Sequence, residues 1–198
     1  MAISLASAAV SIEDLRRFSV EEFDRLVEVG IVGDEERVEL LEGVLVAMTP
    51  IGDEHAACVL RLTELLAARL AGRALIAIQN PIALPRSRPY PDVAVLRRRA
   101  DYYRSGKPGP ADIVLVIEVA DTSLARDRNL KLPAYGQAGI PETWVVDLNG
   151  GVVMAGTQPG TEGYALVTVH SRGDQLVVPG FSDVALTVGE ILGPPLQA

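Results

Sequence analysis

The apolar positions of this chain follow two periods, and their order predicts the architecture. Ser19 and Glu22 form a capping box that opens a short helix burying Phe23, Leu26 and Val27, with Gly30 and Gly33 ending it. Val38-Glu39-Leu40-Leu41 and Val44-Leu45-Val46-Ala47-Met48 flank Glu42-Gly43, a hairpin signature. From Asp53 to Leu70 the residues Ala57, Leu60, Leu62, Leu65, Leu66 and Leu70 recur at helical spacing, and Gly72 provides the stop. Short strands are predicted over Ala74 to Ile78, Pro81 to Leu84 and Asp92 to Leu96. Residues 97–111 are polar and carry Gly106, Pro108, Gly109 and Pro110, a loop long enough to suggest a role beyond connection.

The segment Ile113 to Val119 then reads as a strand buried on both faces. A helix is predicted from about Leu124 to Ala138, with Pro133 kinking it or marking a late start. Thr143 to Leu148 is another buried strand, turned by Asn149-Gly150-Gly151. The tail alternates strand-like segments (Gly151 to Gly156, Tyr164 to Ser171, Gln175 to Val178) and closes on a short helix near Val188 to Leu192. This order predicts an α/β or α+β domain with a mixed central β-sheet flanked by helices, preceded by an N-terminal helix and hairpin. One domain is expected over residues 1–198, with 1–18 peripheral.

Composition changes this picture little. The chain has 198 residues, 48% of them hydrophobic, enough for a real core. Its one cysteine, Cys58, excludes an internal disulfide, fits a reducing compartment and falls on an apolar helical stripe as core filler. The apolar start, Met1 to Val10, lacks the basic residues of a secretory signal. No apolar stretch approaches the ~20 residues of a membrane span. A soluble, cytoplasmic protein without a membrane partner is expected.

Charge changes it more. The net charge of −8 argues at first against nucleic acid. Yet between Arg86 and Lys131 ten basic residues stand against six acids, so that segment is +4 and the remainder −12. A local positive surface of this kind can face a phosphate backbone while the rest repels it. An ordinary solvated loop has the same composition.

The candidate chemistry centres on Glu118, which interrupts the buried run Ile113 to Val119. An ionised carboxylate there is costly unless a cation, a metal or hydrogen-bond donors compensate it. Period two puts Val114, Val116 and Glu118 on one face of the strand. Asp92, restrained by Pro91, heads another apolar strand. If the two strands pair, both carboxylates reach one Mg²⁺ (or Mn²⁺), and Lys131 supplies an amine from the next helix, four residues after Asp127. The plainer reading stays open, in which Glu118 pairs with Arg126 or Lys131 and Asp92 only forms a turn. Tyr135 and Trp144 read as core aromatics with a hydrogen-bonding edge. His170, in a late strand, carries no argument.

The ordered set Glu39-Leu40-Leu41-Glu42-Gly43, His55, Pro91-Asp92-Val93-Ala94-Val95, Ile117-Glu118-Val119, Asp127…Lys131, and Tyr135…Ala138-Gly139-Ile140-Pro141-Glu142-Thr143-Trp144-Val145-Val146-Asp147 resembles the Uma-type putative restriction endonuclease family, part of the PD-(D/E)XK nuclease superfamily. The resemblance runs over about residues 19 to 190 and implies a restriction-endonuclease-like core. It also implies Mg²⁺-dependent phosphodiester hydrolysis, with DNA as the expected partner and substrate. By position Asp92 matches the first motif acid and Glu118 the second, the two metal ligands. Ala120 stands where the motif lysine belongs, and Lys131 fits the superfamily's recruitment of a lysine from the following helix. In this reading Asp92, Glu118 and a strand carbonyl such as that of Val119 anchor the ion. Lys131 positions the attacking water and helps deprotonate it. Glu39 is expected to bind a second cation or a partner residue, or equally to be a surface strand acid; His55 is expected to act as accessory base or outer donor, and Asp127 to hold Lys131. A homodimer would suit cleavage of two strands. The rival expectation is a binding or scaffold protein on the same fold, catalytically weak or inactive.

Overall fold

The structure, a computed structural model, describes residues 15–33, 36–48 and 50–194. The readings made for Met1 to Val10, and for the peripheral segment before residue 15, lie outside the described residues. A six-stranded sheet in the order β3-β4-β5-β6-β7-β8 forms the centre. Its strands are β3 (Ala74–Ile78), β4 (Val93–Arg97), β5 (Ile113–Ala120), β6 (Glu142–Asp147), β7 (Val152–Gly160) and β8 (Gly163–His170). All neighbours are antiparallel except β5 and β6, which run parallel. A parallel pair requires a crossover, and the helical segment from Leu124 to Gln137 supplies it. The sheet is thus mixed and flanked by helices, as the order of elements predicts.

Helix α2 (Asp53–Arg69) and the C-terminal helix α5 (Val188–Leu192) cover one face. They pack Cys58, Leu62, Leu66 and Ile191 against Val93, Val95, Leu115, Ile117 and Trp144. Cys58 is buried as predicted, but the stripe of α2 differs at its neighbours: Leu60 is exposed and Val59 is buried. A small ribbon of β9 (Gln175–Val177) and β10 (Ala185–Thr187) adds Leu176 and Leu186 to this layer. On the other face the crossover helix buries Leu132 and Tyr135 near Ala94, Val116, Ala120 and Val145.

The N-terminal unit assembles as predicted from local signals. Ser19 and Glu22 make the reciprocal capping box of α1 (Val20–Glu28). β1 (Val38–Leu41) and β2 (Val44–Ala47) pair around Glu42-Gly43, with Gly43 at φ +82°, a conformation that favours glycine. Phe23 is buried, but Val27 is exposed. The hairpin docks on the domain through Arg88, whose N–H donates to the Leu40 carbonyl at 2.8 Å.

Three further departures from the sequence reading have physical causes. Pro81 to Leu84 is not a strand, because Pro81 and Pro85 bound it without ladder donors. Its N–H groups turn instead to the carbonyls of Pro89, Pro108 and Ser87. Val114 does not share a face with Glu118, because a bulge shifts the β4–β5 register between Val95 and Leu96. Val114 therefore packs with the α2 layer, while Val116 keeps to the other side with Glu118.

The crossover, lastly, is not a regular helix. A short α3 (Leu124–Arg126) passes into a π-helical turn (Asp127–Lys131) and then α4 (Leu132–Gln137). Pro133 offers no N–H to the carbonyl four residues back. The Leu132 N–H accordingly reaches five residues back to the Asp127 carbonyl, the wide turn often found at functional sites.

Gly136 of α4 fixes how closely this helix approaches the sheet. A Cβ there would lie 2.5 Å from the Gly163 carbonyl carbon and 2.6 Å from the Tyr164 nitrogen. These are backbone atoms that cannot rotate away. Gly136→Ala is expected to destabilise the protein by about 3 kcal/mol, the upper range of overpacking costs. A urea denaturation midpoint indistinguishable from the parent chain would contradict this packing.

Candidate active site

Strand pairing brings the two predicted acids together. β4 and β5 align Val93 with Ile117, so the next residue outward on each strand, Asp92 and Glu118, oppose one another. Both project on the face that carries Ala94 and Val116. Because β4 ends here, the Val119 N–H finds no strand partner on that side and donates to Asp92 Oδ2 at 2.9 Å. Asp92 Oδ2 also lies 3.0 Å from His55 Nε2, which reaches over from the first turn of α2. Asp92 Oδ1 accepts from Gln79 Nε2 at 3.2 Å.

Glu118 is 2% exposed. The phenol of Tyr135 donates to its Oε1 at 2.5 Å, and Lys131 Nζ stands 3.2 Å from both of its oxygens. Lys131 also contacts Glu39 Oε2 at 3.1 Å. The π turn aims Lys131 inward while leaving Arg128 exposed. Ala120, at the usual motif position, is buried among Leu132, Val145 and Met154 with no room for a lysine. The plainer pairing of Glu118 with Lys131 is thus present, and Glu39 shares the same ammonium. Asp127 is buried on this side too, but its closest partners are the Ser123 hydroxyl and Arg126, at 4.0 Å. Lys131 acts on it only through its field.

Glu39, His55, Asp92, Glu118, Asp127 and Lys131 line one cavity of about 50 Å³, together with Arg37, Gln79 and Tyr90. Four carboxylates (Glu39, Asp92, Glu118, Asp127) converge there on one buried ammonium. Burial, and the charges of Asp92, Asp127 and Glu39, push the Glu118 carboxyl well above the usual range despite Lys131. Burial acts the other way on Lys131, yet the acids around it raise it above an ordinary lysine. Its amine therefore stays protonated and donates. Burial alone would raise Asp92, but the hydrogen bond and charge of His55, with the Val119 and Gln79 donors, lower it. The Asp92 hydrogen bond in turn raises His55 against the effect of burial. His55 meets Asp92 through Nε2.

Among the described residues, Glu39 Oε1 and His55 Nδ1 are buried without a hydrogen-bond partner. Among the described residues no group of three or more His, Cys, Asp or Glu side chains is arranged around one point as a complete metal cage. Gln79 carries no signal in the sequence, whereas Tyr135, read there as a core aromatic with a hydrogen-bonding edge, is buried and turns that edge to Glu118. Tyr135 sits four residues after Lys131, a spacing that places both on one helix side and could have flagged it.

The basic excess of residues 86–131 is partly neutralised within the fold. Arg88 and Lys107 face Asp24, Arg86 faces Glu42, and Arg99 faces Asp101. Arg98, Arg104 and Arg128 remain exposed.

A family model, Uma2, described as "Putative restriction endonuclease", matches residues 20–189. The chain belongs to the Uma2 family. Among solved structures, this Uma2 chain is similar to a putative nuclease belonging to DUF820 from Anabaena variabilis ATCC 29413. The two superpose with a TM-score of 0.70 at 15% identity, over 88% of this chain and 97% of that one, a likeness of fold. Among curated proteins none matches the Uma2 chain significantly. No helix among its described residues is long and apolar enough to cross a membrane.

Proposed function

We propose that this chain is a divalent-metal-dependent endonuclease that hydrolyses phosphodiester bonds, with DNA as its substrate. One observation carries the reading. Asp92 and Glu118 oppose each other at the open end of β4 and β5, inside a cavity holding more carboxylates than cations. The donor set fits a hard ion: carboxylate oxygens, an unpartnered Glu39 Oε1 and no thiol. Because a full protein cage is lacking, water and phosphate oxygens would complete the shell, as Mg²⁺ prefers. Bound Mg²⁺ or Mn²⁺ supplies charge neutralisation at phosphorus and a lowered pKa for water.

The chain's own residues do the remaining work. Asp92 and Glu118 hold the ion. The carbonyl of Val119, the residue whose N–H meets Asp92, would be a third ligand. His55 and Gln79 orient Asp92 through its two oxygens. Tyr135 fixes the Glu118 rotamer. Lys131 donates toward the attacking water and the charge that grows on the phosphoryl oxygens. Glu39 and Asp127 keep that amine charged. Cutting both strands of a duplex calls for two such sites, which a homodimer supplies.

One observation favours a second reading, a nuclease-fold binding or scaffold protein. Every oxygen of Asp92 and Glu118 already has a donor from the chain. Calorimetric titration with Mg²⁺ or Mn²⁺, paired with plasmid cleavage in the presence and absence of EDTA, separates the two. Ion binding with EDTA-sensitive nicking is expected. Absence of hydrolysis, with or without ion binding, would favour the scaffold.

A further inference from the structure

The loop that follows β4 is built to hold one aromatic ring outward. From Arg97 to Lys107 five basic residues stand against one acid, Asp101. That acid is used inside the loop. Its carboxylate pairs with Arg99 at 2.7 Å and accepts from the Tyr103 N–H, the Ser105 N–H and the Ser105 hydroxyl. Tyr103 turns inward, its hydroxyl donating to the Arg97 carbonyl at 2.7 Å and its ring lying under the Arg99 guanidinium at 4.5 Å. Tyr102 does the opposite and is 67% exposed.

Both tyrosines hold left-handed backbone conformations, with φ of +52° and +63°, which L residues rarely adopt. Folding alone would favour glycine at Tyr102, so an exposed ring there asks for another reason. A cavity of about 350 Å³ opens beside it, lined by both tyrosines, Lys107 and Asn80. Asn80 follows Gln79, whose amide holds Asp92. One wall of the cavity thus adjoins, through Asn80, the residue that orients Asp92. Arg98 and Arg104 lie exposed on the same loop.

We propose that Tyr102 stacks on an unpaired base of a single-stranded nucleic acid while Arg98 and Arg104 follow its phosphates, delivering the strand to Asp92 and Glu118. This rests on the nuclease reading and names the form of substrate that the site takes. Stacking on one ring accepts any base, and exposed arginines give affinity that falls with salt. An apolar protein segment would leave the exposed arginine charges unused.

The test is fluorescence anisotropy of a labelled oligothymidylate with the full chain in EDTA. Tyr102→Ala is expected to weaken binding about tenfold and Tyr102→Trp to preserve it. Tyr102→Gly should bind as poorly as the alanine variant while melting no lower than the parent, since glycine relieves the backbone. Replacing Arg98 and Arg104 together by alanine should reduce the slope of log affinity against log salt by about 1.4. Unchanged binding by Tyr102→Ala, or an equal loss toward duplex DNA, overturns the proposal. The two readings fail separately. A parent chain that binds the single strand but never cleaves it refutes only the nuclease, whereas normal cleavage with normal binding by Tyr102→Ala refutes only the platform.

Discussion

Glu118→Gln is expected to lower divalent-ion-dependent cleavage by about 10³-fold while leaving the fold intact. The substitution keeps the side-chain shape and an oxygen for the Tyr135 hydroxyl, which donates to Glu118 in the native chain. It removes one of the two charges that would hold a hard cation. Asp92→Asn should behave alike, because an amide oxygen can still accept from the Val119 N–H. A plasmid-nicking assay on both purified variants, with circular dichroism to confirm folding, measures this. Cleavage by either variant within tenfold of the parent would mean that the acids serve the fold and not the chemistry.

How far such a site could be read beforehand depends on the range of the interactions that build it. The hairpin, both ends of β5 and the capping box of α1 follow from neighbours within a few residues, and the chain states them openly. The buried run Ile113 to Ala120 flags Glu118 for the same reason, since a carboxylate among β-branched residues is a local contradiction. Val114 was misplaced because the bulge opposite Val95 and Leu96 is a property of the pair of strands, not of either one. Pro133 announced a disturbance in the crossover helix. That it would appear as a π turn, with Asp127 and Lys131 both buried, depends on packing against β5 and β6.

Glu39 shows the limit most clearly. Within its hairpin it reads as an ordinary strand acid. It is 0% exposed because residues 88–90, some fifty positions on, close over it and the Tyr90 N–H donates to its Oε2 at 3.3 Å. Gln79 is similar: its amide reaches Asp92 only because its backbone turns through φ +51° at the end of β3. Long-range closure of this kind leaves no periodic trace. The identity of the acids was legible, but the network that orients them was not.

That network makes Lys131→Met the substitution with the largest expected effect on stability. Lys131 is 4% exposed and, among the described residues, is the one cation in contact with both Glu39 and Glu118. Methionine fills similar volume but leaves two buried carboxylates facing each other. Breaking a buried ion pair from one side typically costs about 3–5 kcal/mol. The loss should depend on pH in a definite direction. Burial already raises Glu118 above its unfolded value, and removing the ammonium raises it further. The folded variant then binds more protons than the unfolded chain at any pH between those two values, so its stability falls as pH rises through that window. In EDTA, Lys131→Met should therefore be closest to the parent near pH 5 and weakest near neutrality. Mg²⁺ at neutral pH should return part of the deficit by supplying the missing positive charge, as any ligand selective for the native state does. Chemical denaturation at both pH values, with and without the ion, reads all three effects. A variant as stable as the parent at neutral pH in EDTA would show that the carboxylates are not held by this amine, and the electrostatic account of the site would have to be abandoned.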